Sequence, residues 1–330
     1  MNGEMTYELN YAVEHGRPIS EETALAVLQS SDEQLPEIFK AAAEMNRRTY
    51  GNRAILCSIV SAKSGHCSED CAFCAQSSRS ADQGVVYPLY DAEKILAFRK
   101  QISDYPVAFF SIVTSGLAAP KAEVDAICEC ISQTRGDDGP QWCASLGCLD
   151  RDSLQRLYDA GVVRYHHNLE ACERFFPKIC TSHTFADRIE TIRAAKEVGM
   201  VVCSGGIFGV GETLEDRVDL VMTLAREKVD SLPLNFLVPI EGSPLGKTEP
   251  IQPLDILRIV AMTRLTNPTA EVRVCGGRAH LRSLESMIYQ AGACGMMVGD
   301  LLTVKGGDLD ADMQMIEDVG LLPQTDVPRP

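Results

Sequence analysis

The sequence predicts an α/β fold, a closed (β/α)8 barrel of the TIM type with a helical lead-in, and three observations carry that expectation. From Arg53 onward short apolar runs alternate with longer amphipathic stretches of helical period. Eight such strand-then-helix units match the roughly 250 residues of a closed barrel better than an open doubly wound sheet, because repeated βα order demands parallel pairing through right-handed crossovers. No proline- or serine-rich linker interrupts the series, which argues for one barrel rather than two domains.

Residues 1–50 read as a helical N-terminal extension: Ser20-Glu21-Glu22-Thr23 can cap a segment through Leu28, and Leu35 to Met45 has apolar residues at helical spacing. Residues 51–315 form the barrel. Its expected strands are Ala54–Val60, Val107–Val113, Trp142–Leu146, Val163–Asn168, Val201–Gly205, Ser231–Leu237, Val272–Cys275 and Met296–Gly299. The helical patterns between them are Asp91–Ser103, Ala122–Gln133, Arg151–Ala160, Phe185–Val198, Leu214–Lys228, Leu254–Leu265 and Leu281–Ala291. Residues 316–330 are expected as a C-terminal tail. In such barrels chemistry sits at the carboxyl ends of the strands, where the polar and sulfur residues of this chain gather.

With 45% hydrophobic and 23% charged residues in 330, the chain can bury a large core, which excludes wholesale disorder, collagen and coiled coil. No run approaches the roughly 20 apolar residues of a membrane span, and the acidic amino terminus lacks the basic and apolar regions of a signal peptide. A soluble cytoplasmic protein is expected. Thirty-one Lys and Arg against 46 Asp and Glu leave a net charge of −15, which repels phosphate backbones and anionic membranes and argues against either as a partner. Thirteen cysteines in a cytoplasmic chain point to metal ligation or redox chemistry rather than disulfides.

After the first strand runs Lys63-Ser64-Gly65-His66-Cys67-Ser68-Glu69-Asp70-Cys71-Ala72-Phe73-Cys74, a C-x3-C-x2-C loop. Three thiolates on one tight loop can hold three irons of a cubane cluster and leave the fourth iron open to a small molecule. A structural zinc site is the alternative, but it normally shows paired C-x2-C elements, and His66 is adjacent to Cys67, a poor arrangement for chelating one ion. Phe73 adds an apolar wall beside the open iron.

At these residues the chain resembles the radical S-adenosylmethionine enzymes, and GHCSEDCAFCAQSSR is similar to the signature segment of the biotin synthase family. The resemblance continues through YHHNLE, CSGGIFGVGET, LPLNFL and RVCGGR, covering roughly residues 50–315. It implies a [4Fe-4S] cluster on Cys67, Cys71 and Cys74, with S-adenosylmethionine as the radical source, and a second cluster deep in the barrel that supplies sulfur. For that auxiliary cluster, of two irons (2Fe-2S) or larger, Cys143, Cys203 and Cys275 come from alternate strands, whose side chains share layers inside a barrel. Arg273, two residues before Cys275 and thus on the same side of its strand, matches an unusual ligand or close neighbour of the cluster.

One departure from the family's better-known branch stands out: Ser111 occupies a cysteine position on the second strand. A hydroxyl is a poor substitute for thiolate on iron. Cys275 offers a replacement, and Cys180 in Lys178-Ile179-Cys180-Thr181 is a candidate fourth ligand at the barrel mouth. Cys57, Cys148, Cys172 and Cys294 show no partner pattern and read as packing residues, while Cys128 and Cys130 fall on different faces of a helix.

Gly205, Gly206 and Ile207 follow the fifth strand, where glycines let backbone approach a ligand, and they match the family's adenine contacts. The resemblance also gives Glu170 to the ribose hydroxyls and Arg188 to the methionine carboxylate. Asn168 and Asn235 end the fourth and sixth strands with amides suited to a cyclic urea, matching residues that hold dethiobiotin. His166, two before Asn168, stands where the family more often has a second Asn, which implies a changed auxiliary-cluster environment or a changed substrate contact; it reads equally as a buried hydrogen-bonded histidine. The implied reaction is sulfur insertion into dethiobiotin to give biotin, by a homodimer served by an electron donor such as flavodoxin or ferredoxin. The rivals are another radical S-adenosylmethionine enzyme of this barrel type, a hydrogenase-cofactor maturase or a mutase, and a nonenzymatic iron–sulfur carrier.

Overall fold

The computed structural model describes residues 3–81, 84–299 and 307–325. Ten strands run in chain order as β1 Arg53–Lys63, β2 Phe109–Thr114, β3 Gln141–Ser145, β4 Val162–His166, β5 Val201–Cys203, β6 Gly206–Phe208, β7 Ser231–Phe236, β8 Glu271–Val274, β9 Gly295–Met297 and β10 Leu322–Pro323. Every pairing among them is parallel. Neighbours pair in sequence order from β1 round to β9, and β9 pairs back onto β1, so the sheet closes. The fifth barrel strand is broken into β5 and β6, both of which pair β7. Counted as one, it makes this an eight-stranded barrel, as the βα order predicts.

Barrel helices occupy Ala92–Ile102, Lys121–Ser132, Arg151–Ala160, Phe185–Glu197, Leu214–Arg226 and Pro253–Thr266. Their starts are written in the sequence. Asp91 and Asp150 accept from the backbone N–H groups of Lys94 and Ser153, and Thr184 with Asp187 and Thr213 with Asp216 form capping boxes, each satisfying otherwise orphaned donors. The helix expected over Leu281–Ala291 is a correction. Arg282 takes φ +54°, a left-handed conformation that interrupts helical hydrogen bonding, so a 3-10 turn over Arg278–Leu284 precedes a short helix at Met287–Gln290.

The N-terminal extension is three helices, Gly3–His15, Glu21–Leu28 and Leu35–Tyr50. Asn46 Nδ2 donates to the carbonyl of Ala293 and the Tyr50 hydroxyl to that of Thr269, so the third helix closes on the chain just before β9 and β8. Met5, Leu9 and Ile38 share one continuous apolar core with Leu56 and Val260. The expected tail is likewise joined to the barrel: the helix Leu309–Asp318 crosses its boundary, and β10 pairs the start of β1 through Arg53 and Leu322. Residues 326–330 of that tail lie outside the described residues.

Candidate functional site

Inside the barrel, side chains alternate between core and lumen with the period of two that strands impose. The lumen holds a cavity of about 330 Å3. Its wall includes Cys57 and Ile59 of β1, Ser111 of β2, Cys143 of β3, Arg164 and His166 of β4, Cys203 of β5, Asn235 of β7 and Met297 of β9. Arg273 of β8 and Cys275 just beyond it complete that wall, while Phe73, Cys74 and Gln76 of the three-cysteine loop reach its mouth.

Besides Cys74 at the mouth, four thiols therefore line the cavity deeper in the barrel, and they come from the first, third, fifth and seventh barrel strands. Layers of four side chains from alternate strands are how such barrels fill their interior, so Cys57 completes the odd-strand series that Cys143, Cys203 and Cys275 begin. Strand register agrees. Cys57 pairs Met297 across β1 and β9, and Arg273 pairs Gly295 across β8 and β9, so two residues further on Cys275 comes level with Met297 and Cys57. The two thiols act on each other so that the Cys57 thiol is lowered and the Cys275 thiol is held well up. Cys57 is the residue the sequence reading missed. The alternation of the first strand against the three other odd strands is the signal that finds it.

The floor around these thiols is strongly cationic. Arg273 Nη2 donates to Cys203 Sγ at 3.1 Å and to Ser231 Oγ at 2.7 Å, and His166 Nδ1 lies 3.2 Å from the same sulfur. Burial pushes the Cys203 thiol up, but Arg273 and His166 outweigh it and bring it down to about 7. Cys143 has no such contact, and burial takes it up to about 12. Arg164 stacks 3.7 Å over the Phe109 ring and donates through Nη2 to Glu271 Oε1 at 2.8 Å. His166 thus belongs to the sulfur floor rather than to the asparagine end of the cavity.

Several buried polar atoms of this floor have no hydrogen-bond partner among the described residues: Ser111 Oγ, Arg273 Nε, and Arg164 Nε and Nη1. Buried donors left in this way cost free energy unless another group meets them. Four soft sulfur ligands with two guanidiniums to offset their charge suit an iron–sulfur cluster. The residues present therefore fit such a group, and they fit four thiolates better than three plus a serine.

At the mouth, the loop of Cys67, Cys71 and Cys74 is tied to the segment after β4. Ala72 N–H donates to the Ile179 carbonyl at 2.8 Å, and the Asp70 carboxylate accepts from the backbone N–H groups of Thr181 and Ser182 at 2.8 and 3.0 Å. Cys180 lies in this clamp with its sulfur 3.7 Å from that of Cys71, and it is not in the cavity wall. Cys180, expected as an auxiliary-cluster ligand, is thus set apart from the four deeper thiols of the cavity wall. The short helix Phe176–Ile179 turns the chain outward onto the loop, so Cys180 with Cys71 and His183 forms a separate group of possible metal ligands.

The remaining predicted residues divide in two. Asn168, Glu170, Ile207 and Asn235 line the cavity; Asn168 Oδ1 accepts from Gly205 N–H at 3.0 Å and Asn235 Oδ1 from Gly276 N–H at 2.9 Å. Glu170 adopts φ +66° and its carboxylate is 3.8 Å from Arg188, and burial pushes its carboxyl up against that attraction. Gly205, Gly206 and Arg188 stand behind this wall. A Cβ at Gly205 would lie 1.9 Å from the Pro233 carbonyl oxygen and one at Gly206 would lie 2.6 Å from that of Glu170, so the absence of side chains admits protein backbone at the broken fifth strand.

Comparison with known proteins bears on this geometry. Residues 63–224 match the Radical SAM superfamily and residues 233–322 the Biotin and Thiamin Synthesis associated domain. The chain is 50% identical over 315 residues to a biotin synthase of Maridesulfovibrio salexigens, covering 95% of this chain and 96% of that protein. A biotin synthase of Pelotomaculum thermopropionicum is 43% identical, with 96% and 99% covered. Among solved structures, methylornithine synthase (PylB) superposes with a TM-score of 0.84 at 19% identity over 96% of this chain and 97% of that one. HydG, a maturase of the [FeFe]-hydrogenase, gives 0.82 at 15% over 99% and 77%. At such identities the likeness is one of fold.

Proposed function

The chain belongs to the biotin synthase family, radical S-adenosylmethionine sulfurtransferases that convert dethiobiotin to biotin, and on that premise we propose how its own residues divide the work. The observation that carries the division is the ring of four thiols beneath the three-cysteine loop. When bound, a [4Fe-4S] cluster with S-adenosylmethionine supplies a 5′-deoxyadenosyl radical that takes hydrogen from dethiobiotin, and an auxiliary cluster supplies the sulfur.

Cys67, Cys71 and Cys74 hold the first cluster with one iron open, and Phe73 covers it on the cavity side. Glu170 accepts the ribose hydroxyls, Ile207 packs the adenine, and Arg188 pairs the methionine carboxylate. Asn168 and Asn235 offer amides to the cyclic urea of dethiobiotin from the two flanks of the fifth strand. Enclosure by the barrel excludes water and fixes the substrate carbon between the two clusters, where orientation replaces chance encounter.

Cys57, Cys143, Cys203 and Cys275 hold the auxiliary cluster, a set of four thiolates that accommodates a four-iron form. Arg164 and Arg273 supply countercharge to the buried thiolates, without which that charge would not be tolerated in the interior. His166 steadies Cys203. Membership of the family also supports a cytoplasmic homodimer reduced by flavodoxin or ferredoxin, and no described helix is long and apolar enough to cross a membrane.

Anaerobic reconstitution with counting of iron and sulfide, Mössbauer spectra and an assay of biotin from dethiobiotin tests this reading. The expected result is biotin formation and more iron than one four-iron cluster accounts for. Iron for a single cluster, with no biotin, would overturn it.

A further inference from the structure

His183 stands between the cysteine loop and Arg188. Its Nδ1 is 2.6 Å from Glu69 Oε2, and Glu69 lies midway between Cys67 and Cys71. On the other side Arg188 Nε donates to His183 Nε2 at 3.1 Å. A guanidinium has donors only, so Nε2 must present its lone pair. The ring proton is then on Nδ1, where it meets the carboxylate. Both bonds are made only by this one tautomer and one ring orientation.

We propose that His183 is a positioning residue for S-adenosylmethionine, orienting the Arg188 guanidinium toward the methionine carboxylate while anchored to the cysteine loop through Glu69. The proposal rests on the reading of Arg188 given above. Arginine has many rotamers, and here it is pinned at three points. Nε is held by His183, Nη1 donates to the Asn168 carbonyl at 2.8 Å, and the guanidinium sits 5.5 Å over the Phe176 ring. Phe176 also packs edge-on against His183, with ring centroids 5.6 Å apart. Neither bond uses Nη2, and the neighbours of Nη1, Asn168 and Glu170, line the cavity. A planar fork fixed in advance loses less freedom when a carboxylate binds, which strengthens binding without a new contact.

The chain of contacts also explains why His183 is buried. Its side chain is 4% exposed and that of Glu69 9%, and Ser182 Oγ and Ser68 Oγ add two further holds on the carboxylate at 2.6 and 2.8 Å. The loop that carries the cluster and the arginine that meets the cosubstrate are thereby set by one imidazole.

The test uses the anaerobically reconstituted holoenzyme and labelled S-adenosylmethionine in equilibrium dialysis, with binding expressed per loaded loop cluster. His183→Asn keeps a donor at the Nδ1 position for Glu69 and deletes the acceptor for Arg188; His183→Gln does the reverse. His183→Asn should weaken binding by about ten- to a hundredfold, with KM for S-adenosylmethionine raised and kcat for its cleavage little changed, whereas His183→Gln should bind more nearly as the parent does. Arg188→Ala should weaken binding, and adding His183→Asn to it should cost nothing further, as expected of residues acting in series. Parent-like affinity in His183→Asn, or full additivity in the double variant, would overturn the proposal. Parent-like affinity in Arg188→Ala would instead overturn the reading of Arg188 on which it stands.

Discussion

Cys180 Sγ lies 3.7 Å from Cys71 Sγ, on the loop side of the barrel mouth and away from the other four buried thiols of the lumen. Ligands follow the backbone that carries them, and this segment is bound to the cysteine loop through Ile179, Thr181 and Ser182. The thiols of the loop and those of the lumen are therefore two separate sets.

Cys180→Ser should leave the auxiliary iron in place, while Cys71→Ala should abolish S-adenosylmethionine cleavage because two thiolates cannot hold the site-differentiated cubane. Iron counting with Mössbauer spectra and a 5′-deoxyadenosine assay on both variants decide this. Selective loss of auxiliary iron in Cys180→Ser would restore the ligand set expected from sequence.

Cys57→Ala and Cys275→Ser should each lose auxiliary iron and biotin formation yet still cleave S-adenosylmethionine. Ser111→Ala should do much less, since a neutral hydroxyl binds iron weakly and Ser111 Oγ has no hydrogen bond to lose. Full auxiliary iron in Cys57→Ala would remove the fourth thiolate from the proposal.

Asn168→Ala and Asn235→Ala should weaken dethiobiotin by roughly ten- to a hundredfold in the presence of S-adenosylmethionine. Each should also lower Tm, because the side chains hold the N–H groups of Gly205 and Gly276. Calorimetric titration beside thermal unfolding separates the two effects, and unchanged dethiobiotin affinity in both variants would assign the urea to other residues.

Glu271→Gln should cost about 3–5 kcal/mol of stability at neutral pH, since it strands the buried Arg164 without its partner. Burial alone would raise the Glu271 carboxyl, but Arg164 and Arg273 hold it below the usual carboxylate range. A group depressed in the folded state contributes its stability above its unfolded pKa and loses it as pH falls through the folded value. The Tm difference between parent and variant should therefore be full at pH 7 and shrink only in acid; a difference that grew on acidification would contradict the pairing.

The sequence by itself determined the barrel and the three-cysteine loop. Both are local properties: eight βα periods, caps such as Asp91 and Thr184, and three cysteines within one loop need no knowledge of what lies across the fold. It also determined that Cys143, Cys203 and Cys275 face inward together, because alternate strands share a layer. Closure of the sheet decided the rest. Only when β9 pairs both β8 and β1 does Cys57 come level with Cys275, and only the outward turn after Phe176–Ile179 carries Cys180 to Cys71. The role of Gly205 and Gly206 was hidden for the same reason, since the backbone they admit belongs to Pro233 and Glu170 on other strands. Spacing along the chain sets which residues can act as ligands, and register across the barrel sets which of them meet.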